Sequence, residues 1–184
     1  MSRAELAAQV QAYRTVFSEE QLFQPQFVHL LAQPECFLRT HFTPGHFTAS
    51  AWVVNPGYSK VLLLKHAKLN RWLQPGGHAD GDPDVCAVAV RELREETGVI
   101  AQPVSNHFFD LDIHRIPARK ADPEHDHYDF RYLFVVDDQL PLHTNHESTE
   151  VKWVALEQLE SYQADTSLLR LRAKTQRYAG LPGR

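Results

Sequence analysis

Residues 77 to 99 read Gly-His-Ala-Asp-Gly-Asp-Pro-Asp-Val-Cys-Ala-Val-Ala-Val-Arg-Glu-Leu-Arg-Glu-Glu-Thr-Gly-Val, and this stretch decides the expected fold. Glu92, Glu95 and Glu96 follow one another at offsets of zero, three and four. Side chains at those offsets share one face of an α-helix. Three like charges on one face repel unless a cation neutralises them, and hard divalent ions such as Mg²⁺ prefer carboxylate oxygens. The stretch therefore predicts a helix that binds a divalent ion.

The same stretch predicts where that helix begins and ends. Residues 82–84, Asp-Pro-Asp, place an acid at the N-cap and proline at the first helical position, which is a strong start signal. Gly98 suits the position after the last turn. Val85, Ala89 and Leu93 recur every four residues and are expected to face the core. The helix is thus expected to have a packing side and an acidic side.

This stretch resembles the signature of the Nudix hydrolases. That signature is Gly, five residues, Glu, seven residues, Arg-Glu, an aliphatic, any residue, Glu-Glu, any residue, Gly and an aliphatic. The positions in register are Gly77, Arg91, Glu92, Leu93, Glu95, Glu96, Gly98 and Val99. The first Glu of the signature falls on Pro83, and Asp82 or Asp84 is the alternative for this outlying carboxylate. The resemblance covers roughly residues 45 to 165.

The resemblance implies that the helix holds divalent metal ions and that these ions hold a substrate diphosphate. The implied metal ligands are Glu92, Glu95, Glu96 and the backbone carbonyl of Gly77, with Mg²⁺ or Mn²⁺ as the ion. Glu92 and Glu95 are also candidates for catalysis. Arg91 is expected to orient Glu92 through a charge-assisted hydrogen bond. The alternative is that these side chains form a solvated helix face with salt bridges.

Composition limits the other classes of function. A chain of 184 residues is long enough for one domain with a substantial core. The net charge of −4 offers no basic field for a nucleic acid polymer or an anionic membrane. Cys36 and Cys86 form no disulfide framework and fit a reducing, cytoplasmic setting. The sequence shows no apolar segment of signal-peptide type and no run near the ~20 residues of a membrane span.

The remaining elements predict an α/β/α sandwich around a mixed sheet, the architecture that the resemblance also implies. Amphipathic helices are expected at 3–16 and 18–32, with Ser18 as an N-cap. Strands are expected at 47–54, 60–65, 105–115, 128–136 and 150–155, and a last helix from Leu156 or Ser167 towards Tyr178.

Two segments are expected on this basis: an N-terminal helical extension, 1–44, packed on a Nudix domain, 45–184. The helices of the extension are expected to cap the sheet. The alternatives are a substrate lid or a dimer arm, the latter giving a homodimer.

A hydrolase of this kind also needs a general base. In some Nudix enzymes the base is a glutamate of the signature, and in others it lies on a later loop just before a strand that contains tryptophan. Glu147 lies six residues before Trp153 and is the candidate for such a distal carboxylate. Glu150 is the alternative.

Histidines and arginines outside the signature are candidates for substrate binding. His127, Asp129 and Arg131 alternate and are expected on one face of a strand. Cationic arginines suit substrate phosphates, and imidazoles suit Zn²⁺, Mn²⁺ or Fe better than Mg²⁺. At least two of the four histidines are expected to lie within one pocket beside the signature and to bind either substrate phosphate or a second metal, or else they are scattered and solvated. The candidates are His46, His78, Arg119, His125, His127 and Arg131.

The leading hypothesis is a Mg²⁺-dependent hydrolase that cleaves the diphosphate bond of a nucleoside diphosphate linked to another moiety. The substrate is therefore expected to be a small molecule. The alternative is an isomerase acting on an isoprenoid diphosphate, because the placement of His46 and His78 resembles metal ligands of isopentenyl-diphosphate isomerase. A non-catalytic binding module of the same fold is disfavoured, since such modules tend to lose the glutamates that this chain keeps.

Overall fold

The computed structural model describes residues 1–162 and 165–180. The elements are α1 (Arg3–Ala12), α2 (Ser18–Leu31), β1 (Gly45–Val54), β2 (Lys60–His66), β3 (Trp72–Leu73), β4 (Gly76–His78), α3 (Val85–Thr97), β5 (Asp110–Ile116), β6 (His125–Val135), β7 (Ser148–Ala155), a 3₁₀-helix (Leu156–Tyr162) and α4 (Thr166–Tyr178). Among these described helices, none combines the length and the apolar character that crossing a membrane requires. The last four residues of the expected domain, 181–184, lie outside the described part.

The strands form one mixed sheet in the order β3-β2-β1-β6-β5, with β4 paired to β1 and β7 paired to β2. Strand β5 pairs with β6, and β2 with β7, in antiparallel register. Strands β1 and β6 run in the same direction, because Asp126 N–H donates to Pro44 O at one end and Val136 N–H to Val54 O at the other. The α/β class, the mixed sheet and the two N-terminal helices that the sequence predicts are confirmed.

The first two helices differ from the prediction at their ends. Helix α1 stops at Ala12, and the hydroxyls of Tyr13 and Thr15 then donate to the buried carboxylate of Glu20. The prediction of Ser18 as an N-cap is wrong. Phe17 holds the N-cap position and no side chain caps this end. The Glu20 carboxylate, which also accepts the Leu111 N–H, instead fixes the start of α2.

Helix α3 begins two residues later than the sequence suggests. Asp84 Oδ1 accepts the Ala87 N–H at 3.1 Å, so Asp84 acts as the N-cap and Pro83 lies before the helix. Asp82 instead accepts the Asp84 N–H in a turn that leads into α3. At the other end Gly98 has a φ of 75° and donates to Arg94 O, as expected for the residue after the last turn.

The chain divides into two compact units that are described separately. The first unit comprises Met1–Ser50, Gly76–Ala89 and Ser105–Tyr132, and the second comprises Ala51–Pro75, Val90–Val104 and Leu133–Arg184. In the first unit α2 packs on one face of the strands through Phe27, whose ring centroid lies 5.8 Å from Phe47 and 4.9 Å from Phe130. In the second unit α4 is tied to β1 by the Trp52 Nε1–H, which donates to Thr175 Oγ1 at 2.8 Å.

The first unit buries an ion network on the other face of β5 and β6. Arg131, 3% exposed, donates to Asp112 and Asp129 at 2.9 Å, and Asp110 lies 3.4 Å away. Thr48 and Ser50 of β1 donate to Asp129 as well. Burial alone would lower the pKa of the Arg131 guanidinium, but the three carboxylates outweigh that effect and raise it. The network fixes a buried cation among three acids.

We predict that Arg131→Ala lowers the free energy of unfolding by about 3–5 kcal/mol, because three buried carboxylates lose their counter-charge. Urea unfolding measures this change. The matched control is Arg115→Ala, whose side chain is 58% exposed and pairs with Asp126. Exposed pairs contribute about 1 kcal/mol or less. Equal stability of the two variants would contradict the structural role of Arg131.

Candidate active site

The three carboxylates of the signature lie in the second half of α3, within the second unit. Val85, Ala89 and Leu93 are fully buried, which confirms the packing side of the helix. Glu96 is buried, and the side chain of Glu92 is 15% exposed. Glu95 is exposed to solvent. The three carboxylates thus differ in burial, with Glu95 at the surface, Glu92 partly buried and Glu96 buried.

The environment of Glu92 combines burial with like charge. Burial raises the pKa of Glu92, and the charges of Glu95 and Glu147 raise it further. Arg91 opposes this, because its Nη2 donates to Glu92 Oε1 at 2.8 Å. The net pKa lies above the ordinary value, so this face of α3 still favours an added cation. A set of carboxylate oxygens is also the donor chemistry that Mg²⁺ and Mn²⁺ take.

The two expected distal acids have different neighbours. Glu147 lies in the loop before β7, where its backbone N–H donates to Asn145 Oδ1 at 2.9 Å. The side chain is 47% exposed, and its charge acts on Glu92. Glu150 instead pairs with Lys152 at 3.2 Å on β7. The structure therefore favours Glu147 over Glu150 as the distal carboxylate.

The Gly-Gly turn lies in the first unit as strand β4. Gly76 and Gly77 pair with Ser50 and Ala49 of β1. A Cβ at Gly76 would lie 2.4 Å from Ser50 Oγ and 2.9 Å from Ala49 O. Only glycine fits at residue 76 without movement of β1, which explains why the turn contains two consecutive glycines.

Histidines from three strands meet in the first unit, and their expected place in a pocket beside the signature stays a prediction. The ring centroid of His46 on β1 lies 5.2 Å from His78 on β4 and 4.8 Å from His127 on β6. His125 lies 5.0 Å from His46, and His114 of β5 lies 5.4 Å from His127. They belong to the polar sheet face that also carries the Arg131 network. We call His46, His78, His125 and His127 the histidine cluster.

The cluster is buried enough to keep two of its rings neutral. Burial lowers the pKa of His46 to about 4, although its hydrogen bond to the His41 carbonyl raises it. Burial also lowers the pKa of His127, and the neighbouring imidazoles add to that effect. Neutral imidazole is the form that accepts a hydrogen bond or binds a metal.

The two candidate arginines do not join this cluster. Arg119 is exposed in the loop between β5 and β6, where its backbone N–H donates to Asp122 O. Arg131 is occupied by three buried aspartates. The geometry therefore favours a structural role for Arg131 over the expected phosphate contact, and Arg119 remains the exposed cation of the pair.

The sequence reasoning missed several residues that shape these groups. Asp110 and Asp112 hold Arg131, and their alternation along β5 matches that of Asp129 and Arg131. That pattern was the available signal, but it needs the strand register to be read. The ring of Phe42 packs against His125 with 5.0 Å between the ring centroids. No sequence pattern indicates this contact.

Comparison with known proteins identifies the family. The family model described as the NUDIX domain matches residues 44–174. A relative from Lactococcus lactis subsp. cremoris, named as a probable DHNTP pyrophosphohydrolase, is 29% identical over 138 residues, 73% of this chain and 80% of the relative. The chain therefore belongs to the Nudix family, and it is a Nudix pyrophosphohydrolase.

Two solved structures show the same fold. A C. elegans Ap4A hydrolase aligns with a TM-score of 0.52 and 18% identity, over 73% of this chain and 97% of that one. The E. coli dihydroneopterin triphosphate pyrophosphohydrolase aligns with a TM-score of 0.56 and 12% identity, over 72% of this chain and 94% of that one. At these identities the likeness supports the fold alone.

We predict that Gly76→Ala lowers the free energy of unfolding by about 1–3 kcal/mol, the usual effect of overpacking. The added methyl group would press on Ser50 and on the backbone of Ala49. Denaturant unfolding measures the loss. Gly57→Ala is the control, because its Cβ would meet Ser59 Oγ at an ordinary 3.7 Å. A Gly76→Ala protein as stable as this control would show that β1 does not restrict the turn.

Proposed function

We propose that this Nudix pyrophosphohydrolase cleaves the diphosphate bond of a nucleoside diphosphate linked to another moiety, with Mg²⁺ or Mn²⁺ as its ion. The observation that carries the proposal is the acidic face of α3. There a partly buried Glu92 keeps a raised pKa despite a 2.8 Å hydrogen bond from Arg91. A divalent ion relieves that excess of negative charge, and a diphosphate adds further oxygen ligands.

The residues of the second unit that would hold the ion are Glu92, Glu95 and Glu96, and the carbonyl of Gly77 stays a ligand that the resemblance implies. When bound, the ion neutralises charge on the leaving phosphate and lowers the pKa of an attacking water. Arg91 holds one Glu92 oxygen and thereby restricts the rotamer of that carboxylate.

Glu147 is the proposed general base. It is half exposed, so water reaches it, and its charge is felt by Glu92. Water attacks phosphorus, its proton moves to a carboxylate oxygen of Glu147, and the bond from phosphorus to the bridging oxygen breaks with its electron pair leaving on that oxygen. The products are two phosphate monoesters, one of them a nucleoside monophosphate.

The names of similar proteins support a phosphoanhydride substrate. The Lactococcus relative is named for DHNTP, and the C. elegans structure is an Ap4A hydrolase. Both names denote compounds with linked phosphates. A substrate panel should therefore contain dinucleoside polyphosphates, nucleotide sugars and dihydroneopterin triphosphate.

We predict that Glu96→Gln and Glu92→Gln each lower kcat/KM on the best substrate by about 100-fold or more, the scale of a lost metal contribution of several kcal/mol. Activity of the wild-type protein should also require Mg²⁺ or Mn²⁺ and disappear with a chelator. The measurement is phosphate-ester release resolved by chromatography. Glu19→Gln, on the exposed first turn of α2, should leave activity unchanged.

Two outcomes would contradict the proposal. Wild-type turnover in both α3 variants would make the carboxylates structural. Conversion of an isoprenoid diphosphate to its isomer, with both phosphates retained and no hydrolysis of the panel, would favour the isomerase alternative.

We predict that Glu147→Gln lowers kcat by about 10²-fold or more, the usual scale for a general base. The loss should be in kcat rather than KM, since the group acts on water and not on the bound substrate. Glu150→Gln serves as the matched variant and should retain kcat, because Glu150 pairs with Lys152. Unchanged kcat in Glu147→Gln would move the base to a carboxylate of α3.

A further inference from the structure

Three imidazoles of the histidine cluster converge on one point. One ring nitrogen each from His46, His125 and His127 lies within 4.8 Å of the other two. His46 and His125 are buried, and His127 is partly buried. The three residues come from β1 and β6, whose backbones are fixed by the sheet. Their side chains are therefore brought together by the fold and not by a mobile loop.

Hydrogen bonds on the far side of two rings set their tautomers. His46 Nδ1 contacts the His41 carbonyl at 3.1 Å, and His125 Nδ1 contacts the Pro123 carbonyl at 2.8 Å. A carbonyl only accepts, so each Nδ1 carries the proton and each Nε2 carries a lone pair. Histidines that ligate metals are commonly held by this arrangement, in which a backbone carbonyl fixes the ring.

The nitrogens that face inward lack hydrogen-bond donors from the protein. His46 Nε2 and His127 Nε2 are buried and have no hydrogen-bond partner among the residues that the structure describes. Buried polar atoms without partners are costly and uncommon. Two such atoms, close to a third imidazole, therefore point to a ligand.

We propose that His46, His125 and His127 bind a transition-metal ion, Zn²⁺ by preference, in a site that shares no residue with the acidic face of α3. Imidazole suits zinc and its neighbours, whereas Mg²⁺ takes oxygen ligands. Nitrogens around a tetrahedral Zn²⁺ are about 3.4 Å apart at bond lengths of about 2.0–2.1 Å. The three rings therefore need to close by ~1.4 Å at most per pair, which side-chain rotation supplies.

Three neutral imidazoles leave a fourth position for water, as in zinc sites that take part in reactions. His78 and His114 lie beside His127, at ring centroid distances of 5.0 and 5.4 Å. Asp112 contacts His114 Nδ1 at 3.2 Å. Because imidazole ligands are neutral, the metal-bound site would have the charge of the metal ion alone. That positive charge favours an anionic fourth ligand such as hydroxide or a phosphate oxygen.

The test is a Co²⁺ titration of the chelator-treated protein in excess Mg²⁺, which occupies carboxylate sites. We expect one equivalent of Co²⁺ to bind with visible absorption typical of nitrogen coordination, and Zn²⁺ to displace it. X-ray absorption of the Zn²⁺-loaded wild-type protein should show imidazole scattering with Zn–N near ~2.0–2.1 Å. This second measurement needs no variant, so it does not depend on whether a variant folds.

His46→Gln and His127→Gln should each weaken Co²⁺ binding by about 100-fold or more, since even partners of ligands matter by 10–100-fold. His107→Gln, an exposed histidine that contacts Ser105, is the matched control and should bind as the wild type does. Absence of Co²⁺ and Zn²⁺ binding in excess Mg²⁺ would overturn the proposal. Equal binding by all three variants, or zinc held by oxygen alone, would overturn it as well.

Discussion

The repulsion among the carboxylates of α3 is the constraint on which the site depends. The helix backbone fixes the spacing of these groups, so they can separate only if α3 unwinds. Unwinding would expose Val85, Ala89 and Leu93, which are buried in the core, at a cost of roughly 25 cal/mol per Å² of apolar surface. Helix packing therefore holds charges together that would otherwise separate. A site strained in this way gains from any ion that fits it.

The negative charge of the two acidic groups is neutralised in different ways. In the first unit the cation is part of the chain, because Arg131 is buried among Asp110, Asp112 and Asp129. On α3 the arginine stands beside Glu92 and is itself partly exposed, and the carboxylate keeps a raised pKa. The first arrangement makes a fixed part of the fold. The second leaves negative charge on α3 that a divalent metal ion can neutralise.

Periodicity and local chemistry in the sequence were enough to predict α3 and the class of fold. The apolar repeat of α3 and its terminal glycine both depend on neighbours within a few residues. Asp82 and Asp84 carry the same side chain, so the sequence places the N-cap at Asp82, whereas the turn geometry selects Asp84. Local signals therefore gave the element but placed its start two residues too early.

Features that depend on strand register could not be derived in the same way. The alternation of His127, Asp129 and Arg131 predicts a shared face, but the aspartates opposite them follow from the pairing of β5 with β6. A shift of one residue would place them on the other face. The meeting of His46 with His78 likewise needs the pairing of β1 with β4. Non-local pairing is the information that a single sequence lacks.

The central claim is that the carboxylates of α3 hold a hard divalent ion. Electron paramagnetic resonance of Mn²⁺ added to the wild-type protein, at constant ionic strength, tests it without any substrate. The account predicts a bound Mn²⁺ population that excess Mg²⁺ displaces and that Glu92→Gln and Glu96→Gln weaken. Mn²⁺ that stays entirely free in solution, or Mn²⁺ binding that Glu92→Gln and Glu96→Gln both leave unchanged, would contradict it.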